Sequence, residues 1–212
     1  TTNRFTFEPL QLTFLVGLSA NTISYNRNDL LSAPGLLTGY NKDLSLSKSF
    51  DFVFNPHFAI QKEYKNQIFN LSYSEGYNAP TSGTTFISGI NKVNDSLQPE
   101  KARMIDFSIQ GLLENTKLDY QVSIFSIFVR NKLTTLSGKD PVTGTAYNYT
   151  ANTGNQINTG FEGSLGYNLG SRTKNGFDKI EPFVSYSYYN FKYDNFATKL
   201  GTTTLDYKDK KV

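Results

Sequence analysis

The stretch Ile157-Asn158-Thr159-Gly160-Phe161-Glu162-Gly163-Ser164-Leu165-Gly166-Tyr167-Asn168-Leu169 decides the fold. Ile157, Thr159, Phe161, Leu165, Tyr167 and Leu169 share one parity, while Asn158, Gly160, Glu162, Ser164, Gly166 and Asn168 share the other. A helix would scatter both sets around its circumference, whereas a strand sends successive side chains to opposite sides. The segment is therefore a strand with one apolar and one polar side.

The same period returns in other segments. Phe50, Phe52, Phe54, Phe58 and Ile60 oppose Ser49, Asp51, Asn55, His57 and Gln61, and Ile105, Phe107, Ile109 and Leu113 oppose Asp106, Ser108 and Gln110. Further strands are expected at about 11–27, 67–77, 117–136 and 178–194. Around Phe125, Ile127 and Val129 both sides turn apolar, which leaves the phase open there. Glu75 falls in phase with Phe69, Leu71 and Tyr73, a placement tolerable only near the rim of an apolar band.

The connections alternate in length. Short links fall near Glu8-Pro9-Leu10, Glu63 to Asn66, Glu114-Asn115-Thr116 and Gly170 to Phe177, and long polar ones at roughly 28–48, 78–99, 137–154 and from 195 onward. Several strands reach the ~9–11 residues that a tilted strand needs to cross a hydrocarbon layer. Long strands, alternating loop lengths and Tyr and Phe near strand ends together describe an antiparallel transmembrane β-barrel, with short turns on one side and long loops on the other.

Composition agrees. Aromatic residues make up 15% of the 212-residue chain, as 17 Phe and 14 Tyr, and charged residues only 18%, below the roughly 25% of ordinary soluble domains. No run approaches the ~18 apolar residues of a membrane-spanning helix. With no Cys and one His, thiol catalysis and thiolate metal sites are excluded, and the charge of +3 is too dispersed to indicate nucleic acid. No nucleophile elbow or phosphate loop is present, so no catalytic residue, cofactor or metal site is expected.

Four ordered segments carry a family resemblance. Leu71-Ser72-Tyr73-Ser74-Glu75-Gly76-Tyr77-Asn78-Ala79-Pro80-Thr81 resembles the Tyr-Ser-x-Gly-aromatic-x-Ala-Pro strand end of TonB-dependent receptors. Leu97-Gln98-Pro99-Glu100-Lys101-Ala102-Arg103, followed by Ile105 to Gly111, is similar to the family's Leu-x-Pro-Glu strand. Asn55-Pro56-His57-Phe58-Ala59 resembles its Pro-x-Phe strand, and Asn152-Thr153-Gly154 through Gly160-Phe161-Glu162-Gly163 its Asn-x-Gly and Gly-aromatic-Glu strand. The matches cover about residues 50–170.

The resemblance implies that residues 1–212 form seven or eight strands of the C-terminal part of a barrel of about 22 strands. It implies a Gram-negative outer-membrane receptor, set in outer-membrane lipid, that takes up an iron-siderophore complex or similar small nutrient. Coupling to the TonB energy complex would run through a plug domain. The sequence departs from the family pattern in having no plug, no energy-coupling box and no closing aromatic strand, so those parts are expected elsewhere in a parent protein.

Candidate ligand contacts are Tyr77, Asn78 and Thr81 at the start of the 78–99 loop, His57 and Arg103 in the lumen, and Tyr147 and Tyr149 in the 137–154 loop. His57 also reads as an ordinary lumen-lining residue, and Arg103, Asp106 and Glu162 as solvated or paired lumenal charges. The 78–99 loop reads as a lid over ligand or as a plain loop edged by Pro. Tyr186 to Phe196 reads as a stacking platform for a flat ligand or as an aromatic girdle. Two alternatives to the receptor remain at this point: a passive porin or small structural barrel, and a soluble glycan-binding β-sandwich.

Overall fold

The computed structural model describes residues 2–30, 43–113, 116–169, 180–200 and 203–212, with backbone alone at 198–200 and 203–204. The interior of the 28–48 loop, the tip of the 114–116 turn and the whole 170–177 link lie outside the described residues. Among the described residues there are fourteen strands: β1 (Thr2–Phe7), β2 (Leu12–Arg27), β3 (Leu46–Tyr64), β4 (Gln67–Asn78), β5 (Phe86–Ile87), β6 (Lys92–Val93), β7 (Glu100–Leu112), β8 (Leu118–Arg130), β9 (Leu133–Lys139), β10 (Ala146–Asn152), β11 (Asn155–Tyr167), β12 (Phe183–Asn195), β13 (Ala197–Leu200) and β14 (Thr203–Asp206).

Eight of them form one antiparallel sheet in the order β1-β2-β3-β4-β7-β8-β11-β12. The pairs β5–β6, β9–β10 and β13–β14 are small separate hairpins. All three rise from the end that carries the long connections. The opposite end has tight turns, such as Glu8–Leu10 closed by Gln11 at φ 48° and the β3–β4 turn with Lys65 at φ 52°. Among the described residues, short turns and long loops therefore fall on opposite sides, the loop side being called extracellular below.

The ladder register aligns chemistry across the whole sheet. Phe5, Phe14, Ile60, Leu71, Phe107, Ile124, Phe161 and Tyr188 form one unbroken row through all eight strands. The next row on the other face is Thr6, Thr13, Gln61, Asn70, Ser108, Ser123, Glu162 and Ser187. A slip of one residue in any strand would interrupt both rows, so the two-sided pattern is what fixes the pairing.

The apolar row is exposed except at Phe161, which is half-buried. Phe107 is 41% accessible and Phe52 57%, whereas the polar-side neighbours Asp106 and Ser108 are half-buried. Side chains on the concave side of a curved sheet crowd one another, and those on the convex side splay apart. The apolar face is thus the outer side of a barrel wall and the polar face its lumen. A soluble sandwich would instead bury Phe107 and Phe52 in its interior.

Two expectations change. Phe50 does not share the outer face with Phe52, Phe54, Phe58 and Ile60. Asn21 pairs with Val53 but Ile23 with Phe50, so β3 carries one extra residue and its phase reverses. Phe50 turns to the lumenal side, only 6% exposed, with the Tyr25 ring 6.0 Å away. The strand expected over 117–136 is interrupted as well. β8 ends at Arg130, Asn131 adopts a left-handed φ of 53°, and the chain leaves the main sheet as β9. The 137–154 loop is accordingly mostly the β9–β10 hairpin.

The open phase around Phe125 is resolved by register, since Ile124 lies in the outer row and Phe125, Ile127 and Val129 alternate onto the lumenal side. Buried apolar side chains among the described residues are few: Phe50, Ala59, Ile87, Leu97, Val129 and Phe196. All but Ala59 sit at or near the extracellular end, so the core of this segment lies under its loops.

Candidate functional site

The connection from β4 to β7 folds over the extracellular end and is tied at both flanks. On the β2–β3 flank, the Arg27 guanidinium stacks 4.6 Å from the Phe86 ring centroid. The Lys48 ammonium donates to the carbonyls of Leu97, at 2.7 Å, and of Asp95. The β-bulge that inverts Phe50 also puts Lys48 on the lumenal side, two residues along, where it reaches these carbonyls.

On the other flank the tie is the β9–β10 hairpin. The Asn152 amide accepts from the Gln98 N–H and donates to the Gln98 and Asn131 carbonyls, each at 2.8 Å. Asn94 Nδ2 donates to the Thr150 carbonyl at 2.6 Å. At the strand root, Glu100 receives the Leu133 N–H at 3.0 Å and pairs with the Lys132 ammonium at 3.2 Å. Inside the loop, Leu97 and Thr85 are almost wholly buried, and Thr85 Oγ1 satisfies itself on the Ser82 carbonyl at 2.7 Å. The result is a canopy pinned on both flanks above this part of the wall.

Below the canopy the lumenal wall is aromatic. Phe125 and Tyr189 flank Gly160, where an added Cβ would lie 2.4 Å from Phe125 Cζ and 3.0 Å from Tyr189 Cδ1, so only glycine lets both rings lie against the sheet. The two ring centroids are 6.1 Å apart, and Phe191 continues the set 5.6 Å from Tyr189. Tyr189 donates its hydroxyl to Glu162 at 2.7 Å. Higher up, Tyr193, Phe196 and Tyr207 cluster, with Phe196 stacked on Tyr207 at 5.0 Å. Gln156 is 4% exposed and donates to Asn158 at 2.6 Å, yet its carbonyl oxygen is buried without a partner.

The residues singled out from sequence are dispersed around this mouth. His57 lies on the lumenal side of β3 between Gly17 and Ser74. Asn78 ends β4 opposite Glu100, and Thr81 is exposed, its carbonyl closing a turn to Thr84. Tyr77 keeps the outer phase of Leu71 and Tyr73, with its hydroxyl buried and unpartnered. Tyr147 and Tyr149 lie side by side on β10, their rings 5.8 Å apart, and Tyr147 fills the space over Gly89 and Gly138.

Arg103 is a correction. It stands on the outer face in phase with Ile105 and Phe107, and its Nε lies 3.3 Å from Glu75 Oε1. Tyr73 donates its hydroxyl to the same carboxylate. Glu75 is near the rim, three residues from the end of β4, where the sequence required it to be. The Tyr186 to Phe196 cluster divides by parity, Tyr186 and Tyr188 pointing outward and Tyr189, Phe191 and Tyr193 inward.

Sequence reasoning missed Asn152, Glu100, Lys132 and the Phe125–Tyr189 pair as parts of one site. Asn152 and Gly154 were visible only as fragments of a motif. The structure supplies the reason for Gly154, which has φ +106° and whose added Cβ would come 1.6 Å from the Asn195 carbonyl oxygen.

A two-sided antiparallel wall with tight turns at one end and a tied canopy at the other defines a membrane β-barrel segment. The sequence matches the family described as TonB dependent receptor-like, beta-barrel, over residues 1–210, and the chain belongs to that family. Its members are outer-membrane proteins of Gram-negative bacteria.

Among the solved structures that match, OprC and HasR share the fold. The copper transporter OprC superposes with a TM-score of 0.60 at 14% identity, over 87% of this chain and 28% of its own. A double mutant of the Serratia marcescens hemophore receptor HasR, in complex with its hemophore HasA and heme, gives 0.58 at 16% identity, over 89% and 32%. The siderophore receptor PirA from Acinetobacter baumannii gives 0.42 at 18% identity, over 91% and 39%. The chain thus spans about a third or less of the length of the first two. No curated protein matches it.

Proposed function

We propose that this chain is the wall and part of the mouth of a Gram-negative outer-membrane receptor that binds an iron-siderophore complex or comparable small chelate outside and admits it with TonB-derived energy. Outer-membrane lipid would cover the Phe5-to-Tyr188 row, and coupling would run through a plug domain of the parent protein. One observation carries this reading: a canopy tied on both flanks stands over an aromatic lumenal wall holding the unsatisfied Gln156 carbonyl. A passive pore gains nothing from an ordered, partly desolvated mouth, whereas a receptor gains affinity from one organised in advance.

In this role Phe125, Tyr189 and Phe191 offer flat apolar surface to a ligand, and Tyr147, Tyr149, Asn78, Thr81 and His57 provide polar contacts around the opening. Arg103 takes no part in it. Tyr77, on the same outer face with its hydroxyl buried, takes no part either. The test is titration of the purified parent receptor with ferric catecholate and ferric hydroxamate siderophores, haem and Cu(II), read by quenching of tyrosine emission. Saturable binding of one chelate, weakened about tenfold or more by Phe125→Ala with Tyr189→Ala, supports the proposal. Absence of saturable binding to all four, with solute flux through unenergised liposomes, would assign the barrel to passive diffusion.

A further inference from the structure

One β-bulge gathers three hydrogen-bond donors on the lumenal side of β2 and β3. Asn21 pairs with Val53 but Ile23 with Phe50, and beyond that shift Tyr25 stands opposite Lys48 and Arg27 opposite Leu46. Directly opposed residues of a ladder share a face, so Tyr25, Arg27 and Lys48 lie together on two neighbouring strands. Without the extra residue in β3, Lys48 would project to the outer side. Bulges re-aim side chains in this way.

Both cations are held by neutral groups. Lys48 Nζ donates to the carbonyls of Leu97, at 2.7 Å, and of Asp95, and lies 5.2 Å from the Phe50 ring centroid. Arg27 Nη2 donates to the Leu44 carbonyl at 2.5 Å, and its guanidinium stacks on Phe86. Among the described residues neither forms an ion pair with a carboxylate. The carboxylates of this region serve backbone instead: Asp29 accepts from the Leu44 N–H at 3.0 Å and Asp43 from the Ser45 N–H at 2.8 Å, while Asp95 meets Lys48 through its carbonyl. Tyr25 adds an independent sign, because its hydroxyl is buried without a hydrogen-bond partner. A buried donor left unmade costs free energy until an acceptor arrives.

An ammonium held by neutral carbonyls gains further Coulomb attraction when an anionic oxygen replaces them, and the gain grows where water is partly excluded. The canopy's carbonyls thus stand where the oxygens of an anion would be held more strongly. We propose that Arg27, Lys48 and Tyr25 form a site for a multidentate carboxylate or comparable oxyanion, filled in this structure by the canopy's own backbone, so that the anion's arrival frees the canopy on this flank. The inference deepens the receptor reading by giving the charge of what the mouth takes, and rests on that reading for the ligand's role.

The test follows amide hydrogen exchange in the intact parent receptor, with iron-free citrate as the probe and sodium chloride of equal ionic strength as the reference. The reporters are the Thr84, Phe86 and Asn94 amides, which bond to the Thr81, Gly83 and Thr85 carbonyls within the canopy, and the Gln98 amide, which Asn152 holds. Citrate at about 10 mM should quicken exchange at the first three about fivefold or more and leave Gln98 unchanged. Lys48→Met should quicken the same three amides without citrate and remove the citrate response. Tyr25→Phe, which loses no hydrogen bond, should exchange like wild type without citrate yet need about threefold more of it for the same response. That variant decides the matter if Lys48→Met does not assemble. Citrate acting no differently from sodium chloride, or a Tyr25→Phe receptor that titrates like wild type, would overturn the site. Saturable binding of a ferric chelate with no citrate response would sink this inference alone, whereas a citrate response without binding of any chelate would uphold the site and remove the receptor reading.

Discussion

Asn152 holds the backbone of Gln98 at both of its polar atoms, accepting from its N–H and donating to its carbonyl, each at 2.8 Å. Residues 54 positions apart are thereby joined as a strand partner would join them, by a side chain instead of a ladder. Asn152→Ala removes three hydrogen bonds that include the one to Asn131. The site is open to water, which replaces part of them, so the expected local cost is about 1–2 kcal/mol. Hydrogen exchange at Gln98 and its neighbours should quicken about five- to thirtyfold, with the β7–β8 ladder unchanged.

Glycine positions separate tight from tolerant parts of the wall. Gly154→Ala combines a φ of +106° with a 1.6 Å clash against backbone and should lower stability by about 2–4 kcal/mol. Gly76→Ala meets only Ala102 Cβ at 4.0 Å and should leave stability within about 0.5 kcal/mol of wild type. Denaturant titration of the reconstituted barrel compares the two.

Gly160→Ala acts differently, because its neighbours are ring edges that can turn. Phe125 and Tyr189 must move, and the Tyr189–Glu162 hydrogen bond is expected to break. Folding should survive while ligand affinity falls about tenfold, an outcome measured by the same tyrosine titration.

The Glu75–Arg103 pair stands on the outer face near its rim, where an unpaired charge costs about 0–1 kcal/mol and more with depth. Arg103→Leu alone leaves Glu75 with only the Tyr73 hydroxyl, and Glu75→Leu alone strands Arg103. Each single variant should therefore be less stable than the double variant. A double-mutant cycle with a coupling energy of zero or opposite sign would reject the pair as a mutually required unit.

Legibility of the fold in the sequence follows from how local each cause is. The alternation at Phe107 and Phe161 needs no knowledge of partners, so the two faces and the strand positions could be read directly. Phe50 could not, because its inversion comes from one extra residue against β2, a property of two strands together. Asn131 ended β8 for a similar reason, since β9 finds its partner in β10 rather than in the main sheet.

The mouth was less legible than the wall. Tyr147 and Tyr149 stand out for their rings, but the contacts that organise the canopy come from Asn152, Lys48 and Glu100, whose partners lie 21 to 54 positions away. Arg103 was grouped with lumenal charges on chemical type, although its parity with Ile105 already placed it outside. Where parity and residue type disagree in a barrel, parity is the stronger guide, because the backbone enforces it and a rim salt bridge accommodates the exception.

The central claim is that one face of this sheet meets hydrocarbon and the other water. Spin labels placed singly at residues 104 to 109 of β7 in the reconstituted barrel measure this directly, through relaxation by oxygen, which favours lipid, and by a water-soluble nickel chelate. The account predicts that labels at 105, 107 and 109 respond to oxygen and those at 104, 106 and 108 to nickel, alternating residue by residue. Uniform accessibility along the six positions, or protection of 105, 107 and 109 from both reagents, would contradict it.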